Sequence, residues 1–512
     1  MLENLDEIRE DIDQLDSEIL TRFLERMELS EQIAEYKAEH NMPVEDTTRE
    51  LEITKYVKEN SGDLADYAVA LFNSIMELSK DHQESWIKTY NEDQKRKVVQ
   101  MPGVYGLLGA SLSHSYSEQI HKALGLRGRV AYDYKLHEID PEHLEEFLSR
   151  SDIQGLNVTI PYKMAVLAFC QEISDDVLRI GAANTIVMKK GKLCAYNTDI
   201  AGFKYMVNKS DIDVFDKKIL ILGKGGASKA AQCALEDLGA REIIVLSREE
   251  PNDYSQVDRH LDAEIIVNTT PVGMYPNNLE SLVSLKKFNK LKGVIDVVYN
   301  PIRTGLLLEA ERLGIPNVGG LSMLVAQARE SYNIFFGRSM IDAFVDDIVD
   351  KLTKDNQNII LTGMPGCGKT TIAKAISDIT GREMIDIDKV IEQNEKMAVA
   401  EIITKRGEDT FRRLEHEAIL QYCKESGKVI ALGGGAVLDR NNYPALHQNG
   451  VIFYIRRDIS LLPTDDRPLS KSPETLLEMQ KIRLPLYQEI SDYEIENNGE
   501  IEIAVKAILK KM

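Results

Sequence analysis

The sequence lacks the features that mark secreted, metal-stabilised and membrane-spanning proteins. It has only five cysteines in 512 residues, and they are scattered without the CxxC spacing of zinc sites or redox motifs. No apolar stretch approaches the roughly 20 residues that a transmembrane helix needs. The N-terminal segment is acidic and lacks the basic start and apolar run of a signal peptide. These absences exclude a disulfide framework, and we expect reduced thiols in a cytoplasmic protein.

Basic residues are also fewer than acidic residues. Lys and Arg number 62 against 83 Asp and Glu, which gives a net charge of −21. Such an excess of negative charge repels nucleic acids and anionic membranes. Any anionic ligand must therefore be held by local clusters of Arg and Lys, and we expect small-molecule substrates rather than nucleic acid or membrane partners.

Glycine and proline are absent from residues 1–42, where apolar side chains recur at helical spacing. Further helices are predicted over residues 47–60 and 64–86, because Pro43 and Gly62 interrupt the pattern. The three helices predict an all-α domain over residues 1–90. The charge-dense segment 88–101 has little to bury and is predicted to be a linker.

The remainder of the chain changes character. Short apolar runs alternate with helical stretches, which is the pattern of α/β domains with parallel strands. One such domain is predicted over residues 101–350, with a substrate subdomain at about 101–200 and a dinucleotide subdomain at about 201–330. The pattern restarts after a polar stretch and predicts a second α/β domain over residues 355–512. Three domains agree with a length of about 150 residues per domain.

A phosphate loop opens the last domain. Gly363-x-x-x-x-Gly368-Lys369-Thr370 stands between an apolar run and a helical stretch. Its glycines let backbone N–H groups turn toward phosphate oxygens, the lysine reaches the terminal phosphates, and the threonine hydroxyl ligates magnesium. We therefore expect ATP and Mg²⁺ here. The predicted cofactor contacts are Gly363, Gly366, Gly368, Lys369, Thr370 and Thr371.

Five motifs that follow the loop make residues 357–512 resemble shikimate kinase. They are Asp386-x-Asp388, Phe411-Arg412-x-x-Glu415, Gly433-Gly434-Gly435, Arg467-Pro468-Leu469 and Arg483-Leu484-Pro485-Leu486-Tyr487. The resemblance implies that Asp388 contacts the ring hydroxyl as base or orienter, and that Asp386 supports Mg²⁺ through its outer shell. The alternative is a phosphate-loop regulator, which needs no acceptor-binding arginines.

The same resemblance assigns roles to the remaining motif residues. Arg412 and Arg483 are implied to grip the substrate carboxylate, for which planar bidentate donors are well suited. The glycine run at Gly434 lets the backbone approach the substrate ring. Arg467 is implied to be a lid arginine that closes over the phosphates and neutralises developing charge.

A second glycine-rich turn predicts a dinucleotide site in the middle domain. The run KKILILG leads into Gly223-Lys224-Gly225-Gly226-Ala227 and a helix, whose N-terminus faces a pyrophosphate in such sites. Ser247-Arg248 follows the next strand, at the place where NAD sites carry an acidic residue. Because an arginine pairs with a 2′-phosphate, the pattern favours NADP(H).

The segments around this turn make residues 103–340 resemble shikimate dehydrogenase. Asn157-Val158-Thr159-Ile160-Pro161-Tyr162-Lys163 and Asn197-Thr198-Asp199 match the family's lysine and aspartate motifs. A hydride leaving a secondary alcohol requires removal of the hydroxyl proton, and a Lys beside an Asp relays it. Lys163 and Asp199 are the expected catalytic pair, and which of them takes the proton stays open. The matching substrate-side positions are Ser115, Ser117, Thr159, Asn184, Tyr299 and Gln327.

The serine loop departs from the family pattern. Ser111 and Glu118 stand where the family has prolines. Without those prolines the loop has more conformational freedom to lose on ordering. We therefore expect substrate affinity to be the property that this loop changes, while Ser115 and Ser117 are retained.

Polar residues on the N-terminal helices follow a catalytic pattern. Arg26 and Lys37 are about three turns apart on one face, and Ser79 and Gln83 share a face at i,i+4. With Arg9, Asp46 and Glu50, residues 4–86 resemble the all-helical chorismate mutases. The resemblance implies carboxylate binding by Arg9 and Arg26, contact of Lys37 and Gln83 with the ether oxygen, and orientation of the ring hydroxyl by Asp46 and Glu50.

In that family one arginine comes from the partner chain, so a homodimer is implied. The whole chain is then expected to be a trifunctional enzyme of aromatic amino-acid biosynthesis. The alternative is a bifunctional dehydrogenase and kinase with a non-catalytic helical dimerisation or sensing domain. Retention of every expected polar group argues against it, because a dimerisation module needs only an apolar stripe.

Overall fold

The computed structural model describes residues 5–39, 42–95, 98–112, 115–462 and 473–512. These residues belong to two compact units, Met1–Pro102 with Gly125–Tyr132, and Gly103–Leu124 with Asp133–Met512. Among the described residues, no helix is long and apolar enough to cross a membrane.

Three helices build the first unit, and they confirm the predicted all-α fold. They are α1 Leu5–Glu39, α2 Thr47–Asn60 and α3 Ala65–Lys95. Helix α3 packs against both others, around buried Ala34, Val57, Met76 and Trp86. The predicted linker is wrong in its first half, because α3 continues to Lys95. Beyond it, the short strands β1 Val99–Gln100 and β3 Val130–Ala131 pair in parallel.

A mixed six-stranded sheet begins the second unit. Its strands are β2 Val104–Gly109, β4 Tyr134–Glu138, β5 Ile153–Val158, β6 Glu172–Ile173, β7 Thr185–Lys189 and β8 Lys192–Tyr196. They lie in the order β4-β2-β5-β7-β8-β6, with β7 antiparallel to both of its neighbours. The accompanying helices are α4 Ser117–Arg127, α5 Leu144–Leu148 and α6 Asp175–Ile180.

A parallel five-stranded sheet follows. Its strands are β9 Lys218–Leu222, β10 Glu242–Leu246, β11 Ile265–Asn268, β12 Gly293–Asp296 and β13 Asn317–Gly319. The order β10-β9-β11-β12-β13 reverses direction at β9, which places a ligand crevice at the carboxyl ends of β9 and β11. The helices are α7 Asp199–Asn208, α8 Gly226–Asp237, α9 Gly305–Arg312, α10 Leu321–Phe336 and α11 Ala343–Asn356.

A second parallel five-stranded sheet completes the described chain. Its strands are β14 Asn358–Thr362, β15 Met384–Asp386, β16 Val429–Ala431, β17 Gly450–Arg456 and β18 Tyr493–Glu496, in the order β15-β16-β14-β17-β18. The helices are α12 Lys369–Thr380, α13 Ile387–Glu395, α14 Val399–Arg406, α15 Glu408–Tyr422, α16 Asn442–His447, α17 Pro473–Ile490 and α18 Ile501–Leu509. Strands buried on both faces explain the continuous apolar runs of the sequence.

The predicted fold class, an all-α domain followed by two α/β regions, is confirmed. The predicted domain boundaries stay predictions. Helix α11 runs through the interval between residues 350 and 355, where the sequence suggested a polar break.

Candidate active sites

A cavity of about 250 Å³ gathers the predicted residues of the dehydrogenase region. Its walls come from the ends of the mixed sheet and of the first parallel sheet. Ala227 of the glycine-rich turn also lines the cavity, so the dinucleotide turn and the substrate-side residues meet there. The predicted residues that line it are Ser115, Ser117, Thr159, Lys163, Asn184, Asp199, Tyr299 and Gln327.

Lys163 and Asp199 form an ion pair in this cavity. The Lys163 Nζ lies 2.7 Å from Asp199 Oδ2, and Asn184 Nδ2 donates to Asp199 Oδ1 at 2.8 Å. Both carboxylate oxygens are therefore engaged, and the carboxylate is fixed at the first residue of α7. The arrangement holds the ammonium group at the cavity wall, where it is able to exchange a proton with a bound hydroxyl.

A buried polar network supports the substrate side. Asn157 Nδ2 donates to Ser331 Oγ at 2.7 Å, and Thr185 Oγ1 lies 2.8 Å from the same hydroxyl. Tyr134 donates its hydroxyl to Asn157 Oδ1 at 2.9 Å. The sequence reasoning missed Tyr134 and Ser331. A signal for Ser331 exists, because it follows Gln327 at i+4 on α10.

The predicted dinucleotide turn has the backbone that such a site requires. Gly223 has φ +115°, and a Cβ added there would lie 2.6 Å from Thr269 Oγ1. Helix α8 begins at Gly226, and a Cβ at Gly225 would meet no described atom within 4 Å. The open space beside the helix N-terminus fits a pyrophosphate. Ser247 is buried after β10, whereas Arg248 is exposed.

A cavity of about 590 Å³ gathers the predicted kinase residues. Gly363 lies at the start of the loop, and its carbonyl accepts from Lys369 Nζ at 2.8 Å. Arg467 lies outside the described residues. The predicted residues that line the cavity are Gly366, Gly368, Lys369, Thr370, Thr371, Asp386, Asp388, Arg412, Gly434 and Arg483.

The two aspartates at the end of β15 have different environments. Asp386 caps α13, and its Oδ2 accepts from Thr370 Oγ1 at 2.8 Å. Asp388 Oδ1 is buried and accepts no hydrogen bond from any described residue. Burial raises the pKa of Asp388, although the Lys369 ammonium opposes the shift. The structure thus leaves one buried carboxylate oxygen available to a substrate hydroxyl.

Arg412 is held by a carboxylate that the sequence reasoning quoted but gave no role. Its Nη1 donates to Glu415 Oε2 at 2.6 Å, and the Glu415 side chain is 1% exposed. A Cβ on Gly433 would lie 2.3 Å from Glu415 Oε1, and one on Gly435 would lie 2.3 Å from Arg412 Nη2. The glycine run therefore passes directly over this pair. The i,i+3 spacing of Arg412 and Glu415 was the available signal.

Arg483 approaches the same run from α17. Its Nη1 donates to the Gly434 carbonyl at 2.9 Å, and the Tyr487 hydroxyl donates to the same carbonyl at 2.5 Å. Two guanidinium groups, from α15 and α17, consequently line one cavity beside Asp388. Paired guanidinium groups of this kind suit a carboxylate.

The helical unit brings together several of its predicted residues. Arg26 Nη1 donates to Ser79 Oγ, and Lys37 Nζ donates to the Val44 carbonyl at 2.6 Å and to Gln83 Oε1 at 3.4 Å. These contacts join the long helix to the middle of α3 and to the turn before α2.

The other predicted residues of this unit make separate contacts. Glu50 pairs with Lys80, a residue that the sequence reasoning did not consider. Asp46 is exposed and caps α2 by accepting from Arg49 N at 3.0 Å. Arg9 is exposed on α1, and at about 1.5 Å per residue it lies roughly 26 Å along the helix axis from Arg26.

Comparison with known proteins gives matches in all three regions. The family model for chorismate mutase type II matches residues 8–84, that for the shikimate dehydrogenase substrate binding domain matches 107–186, and that for shikimate kinase matches 365–512. The shikimate dehydrogenase (NADP(+)) of Caldicellulosiruptor bescii is 41% identical over 255 residues, which cover 45% of this chain and 88% of the relative.

Two further matches have similar coverage. The shikimate dehydrogenase (NADP(+)) of Clostridium beijerinckii is 36% identical over 245 residues, covering 45% of this chain and 91% of the relative. The crystal structure of a chorismate mutase/shikimate 5-dehydrogenase fusion protein from Clostridium acetobutylicum is 34% identical, with a TM-score of 0.47, and covers 50% of this chain and 98% of that one.

Proposed function

This chain belongs to the shikimate dehydrogenase family and joins that domain to chorismate mutase and shikimate kinase domains, and we propose that the residues described above catalyse its three reactions. The reactions are rearrangement of chorismate to prephenate, reduction of 3-dehydroshikimate to shikimate with NADPH, and phosphorylation of shikimate by ATP. The observation that carries the proposal is the single cavity in which the Lys163–Asp199 pair meets six substrate-side residues.

In the dehydrogenase, the Lys163–Asp199 ion pair transfers the proton. The turn of Gly223–Gly226 would hold NADPH, which would supply the hydride. Lys163 and Asp199 exchange the proton of the ring hydroxyl, and Asn184 keeps the carboxylate oriented. We assign the substrate carboxylate to the hydroxyls of Ser115 and Ser117, which lie 3.0 Å apart and line the cavity at the start of α4.

In the kinase, the chain orients the acceptor and neutralises charge. ATP, bound at the phosphate loop with Mg²⁺, supplies the phosphoryl group. The Thr370 hydroxyl and the Asp386 carboxylate, 2.8 Å apart, fit direct and outer-shell support of the ion. Asp388 accepts the hydrogen bond of the attacking hydroxyl, and its raised pKa suits it to take the proton. Arg412 and Arg483 bind the shikimate carboxylate, with Glu415 fixing Arg412.

In the mutase, we propose a site that is completed by a second copy of the chain. Lys37 and Gln83 are placed to contact the ether oxygen, and Arg26 one carboxylate. Arg9 lies about 26 Å from Arg26 along α1, which is too distant to join them within one chain. An apolar row on α1 supports the homodimer, because in the single chain it is largely exposed: Ile12 50%, Leu15 56%, Ile19 59% and Leu24 54%.

Three separate assays of the purified full chain test this proposal. They use chorismate alone, shikimate with NADP⁺, and shikimate with ATP and Mg²⁺. We expect turnover in all three. If the chain dimerises but leaves chorismate unchanged, the helical domain is a dimerisation module and the enzyme is bifunctional.

A further inference from the structure

Two segments that line the dehydrogenase cavity are hydrogen-bonded to residues of the kinase region. The first is the serine loop. Tyr116 lies between Ser115 and Ser117, and its hydroxyl donates a hydrogen bond to Asn356 Oδ1 at 3.0 Å. Asn356 is the last residue of α11, and its own carbonyl accepts from Gly427 N, just before β16, at 2.9 Å. The loop is thereby connected to the kinase sheet through one asparagine.

The second segment follows Tyr299. Ile302 N donates to Asn449 Oδ1 at 3.0 Å, and Arg303 N donates to the Gln448 carbonyl at 2.9 Å. The Arg303 guanidinium also donates to the Gly450 carbonyl at 2.9 Å. Residues 448 and 449 directly precede β17, and Gly450 is its first residue. The segment after Tyr299 is therefore attached to the start of β17.

The kinase side of these contacts is rigid. Asn449 is 1% exposed, its Nδ2 donates to the Lys424 carbonyl at 3.3 Å, and its carbonyl accepts from Asn358 N at 2.7 Å, at the start of β14. An asparagine bonded on three sides inside a sheet has little freedom to move with the dehydrogenase. It is therefore suited to hold the segment that it contacts.

The two segments also touch each other at the cavity. The rings of Tyr116 and Tyr299 have centroids 5.5 Å apart, and Ser115, Ser117 and Tyr299 line the cavity. Burial raises the pKa of Tyr116 to about 12, so its hydroxyl remains a donor at neutral pH. A shift of either segment would move the groups that face the substrate.

The sequence of the serine loop suggests a reason for these contacts. The loop has Ser111 and Glu118 where prolines would restrict it, and a freer loop loses more entropy when substrate orders it. A hydrogen bond from outside the loop performs the same restriction before substrate binds. We propose that Asn356 and residues 448–450 are positioning residues through which the kinase domain holds the dehydrogenase cavity in its shikimate-binding form. This inference rests on the proposed substrate cavity.

The test uses the full-length chain with Tyr116→Phe, which keeps the ring and removes the hydroxyl, and with Arg303→Ala. Each variant should raise the KM for shikimate in the dehydrogenase reaction roughly two- to tenfold, the effect of one hydrogen bond. The kcat, the KM for NADP⁺ and the rate of shikimate phosphorylation should stay unchanged. Arg303→Lys should restore part of the affinity, because it keeps a donor.

A double-mutant cycle and a control substitution of another arginine distinguish a positioning role from a general effect on packing. Tyr116→Phe with Asn356→Ala should raise the KM no further than the worse single variant, because both remove one bond. Arg241→Ala removes an arginine that donates to the Asp216 carbonyl at 2.7 Å inside the dehydrogenase region, and it should leave the KM unchanged.

Three results would overturn the inference: an unchanged KM in both Tyr116→Phe and Arg303→Ala, an additive cycle, or an equal rise produced by Arg241→Ala. A wild-type chain that does not oxidise shikimate would instead overturn the proposed function, and the inference with it.

Discussion

Arg412→Ala gives the sharpest test of the kinase assignment. The change removes a guanidinium that lines the cavity beside Asp388 and is bonded to buried Glu415. Loss of a charge-assisted contact to a buried partner costs roughly 2–5 kcal/mol. Arg483 remains to bind the carboxylate, so we expect the lower part of that range. A cost of about 2–3 kcal/mol corresponds to a fall of about 30- to 160-fold in kcat/KM for shikimate.

The assay measures phosphorylation of shikimate while the dehydrogenase and mutase activities of the same preparation report on folding. Arg413→Ala is the matched control, since Arg413 is the next residue on α15 and its side chain is 63% exposed, paired with Glu417. Removing Arg412 also leaves Glu415 buried without its cation. Arg412→Ala with Glu415→Gln relieves that charge, so it should recover stability without recovering kinase activity. A kcat/KM in Arg412→Ala within twofold of Arg413→Ala would refute the reasoning.

The remaining predictions concern the cofactor, the acceptor base and the dimer. Arg248→Ala should raise the KM for NADP⁺ and leave that for NAD⁺ unchanged, because the lost contact binds the 2′-phosphate equally in ground and transition states; equal use of both cofactors by the wild type would contradict it. The proposed kinase mechanism requires ionised Asp388, whose pKa is raised by burial, so kcat/KM should fall as pH decreases through a value above the ordinary aspartate pKa of about 4. A pH profile with its acid limb below that value would count against Asp388 as the base. Arg9→Ala and Arg26→Ala should each abolish mutase activity, and mixing the two under subunit exchange should restore part of it. No recovery between variants shown to exchange subunits would exclude a shared site.

Local patterns were sufficient for the phosphate loop and the dinucleotide turn. In both, the chemistry depends on consecutive backbone groups, and some of the glycines that the pattern requires adopt positive φ: +144° at Gly363, +101° at Gly368 and +115° at Gly223. The strands were also predictable, because parallel sheets covered on both faces need continuous apolar runs. Site residues that lie in distant segments, such as Ser115 and Gln327, were predicted from family motifs and not from any local sequence rule.

The local signals for the supporting residues were too weak to identify them. Ser331 bonds Asn157 from 174 positions along the chain, and no spacing rule connects a hydroxyl on one helix to an amide on a distant strand. Glu415 has the i,i+3 spacing of an ordinary solvated ion pair, and only its burial distinguishes it. The helix that continues to Lys95 was missed because the segment has no apolar periodicity, although Glu92, Gln94 and Lys95 are good helix formers.

Helix geometry also constrains how the proposed mutase site is completed. The sequence places Arg9, Arg26 and Lys37 on one long helix, with Arg26 and Lys37 on one face, and the family pattern alone groups all three in one kind of site. Distances along the helix axis separate Arg9 from the other two. Lys37 contacts Gln83 near the end of α1, whereas Arg9 lies about 26 Å from Arg26 along the axis. A side chain reaches only a fraction of that length, so the proposed mutase site requires Arg9 of a second chain. The dehydrogenase and kinase cavities differ in this respect, because the predicted residues that line each of them come from a single chain.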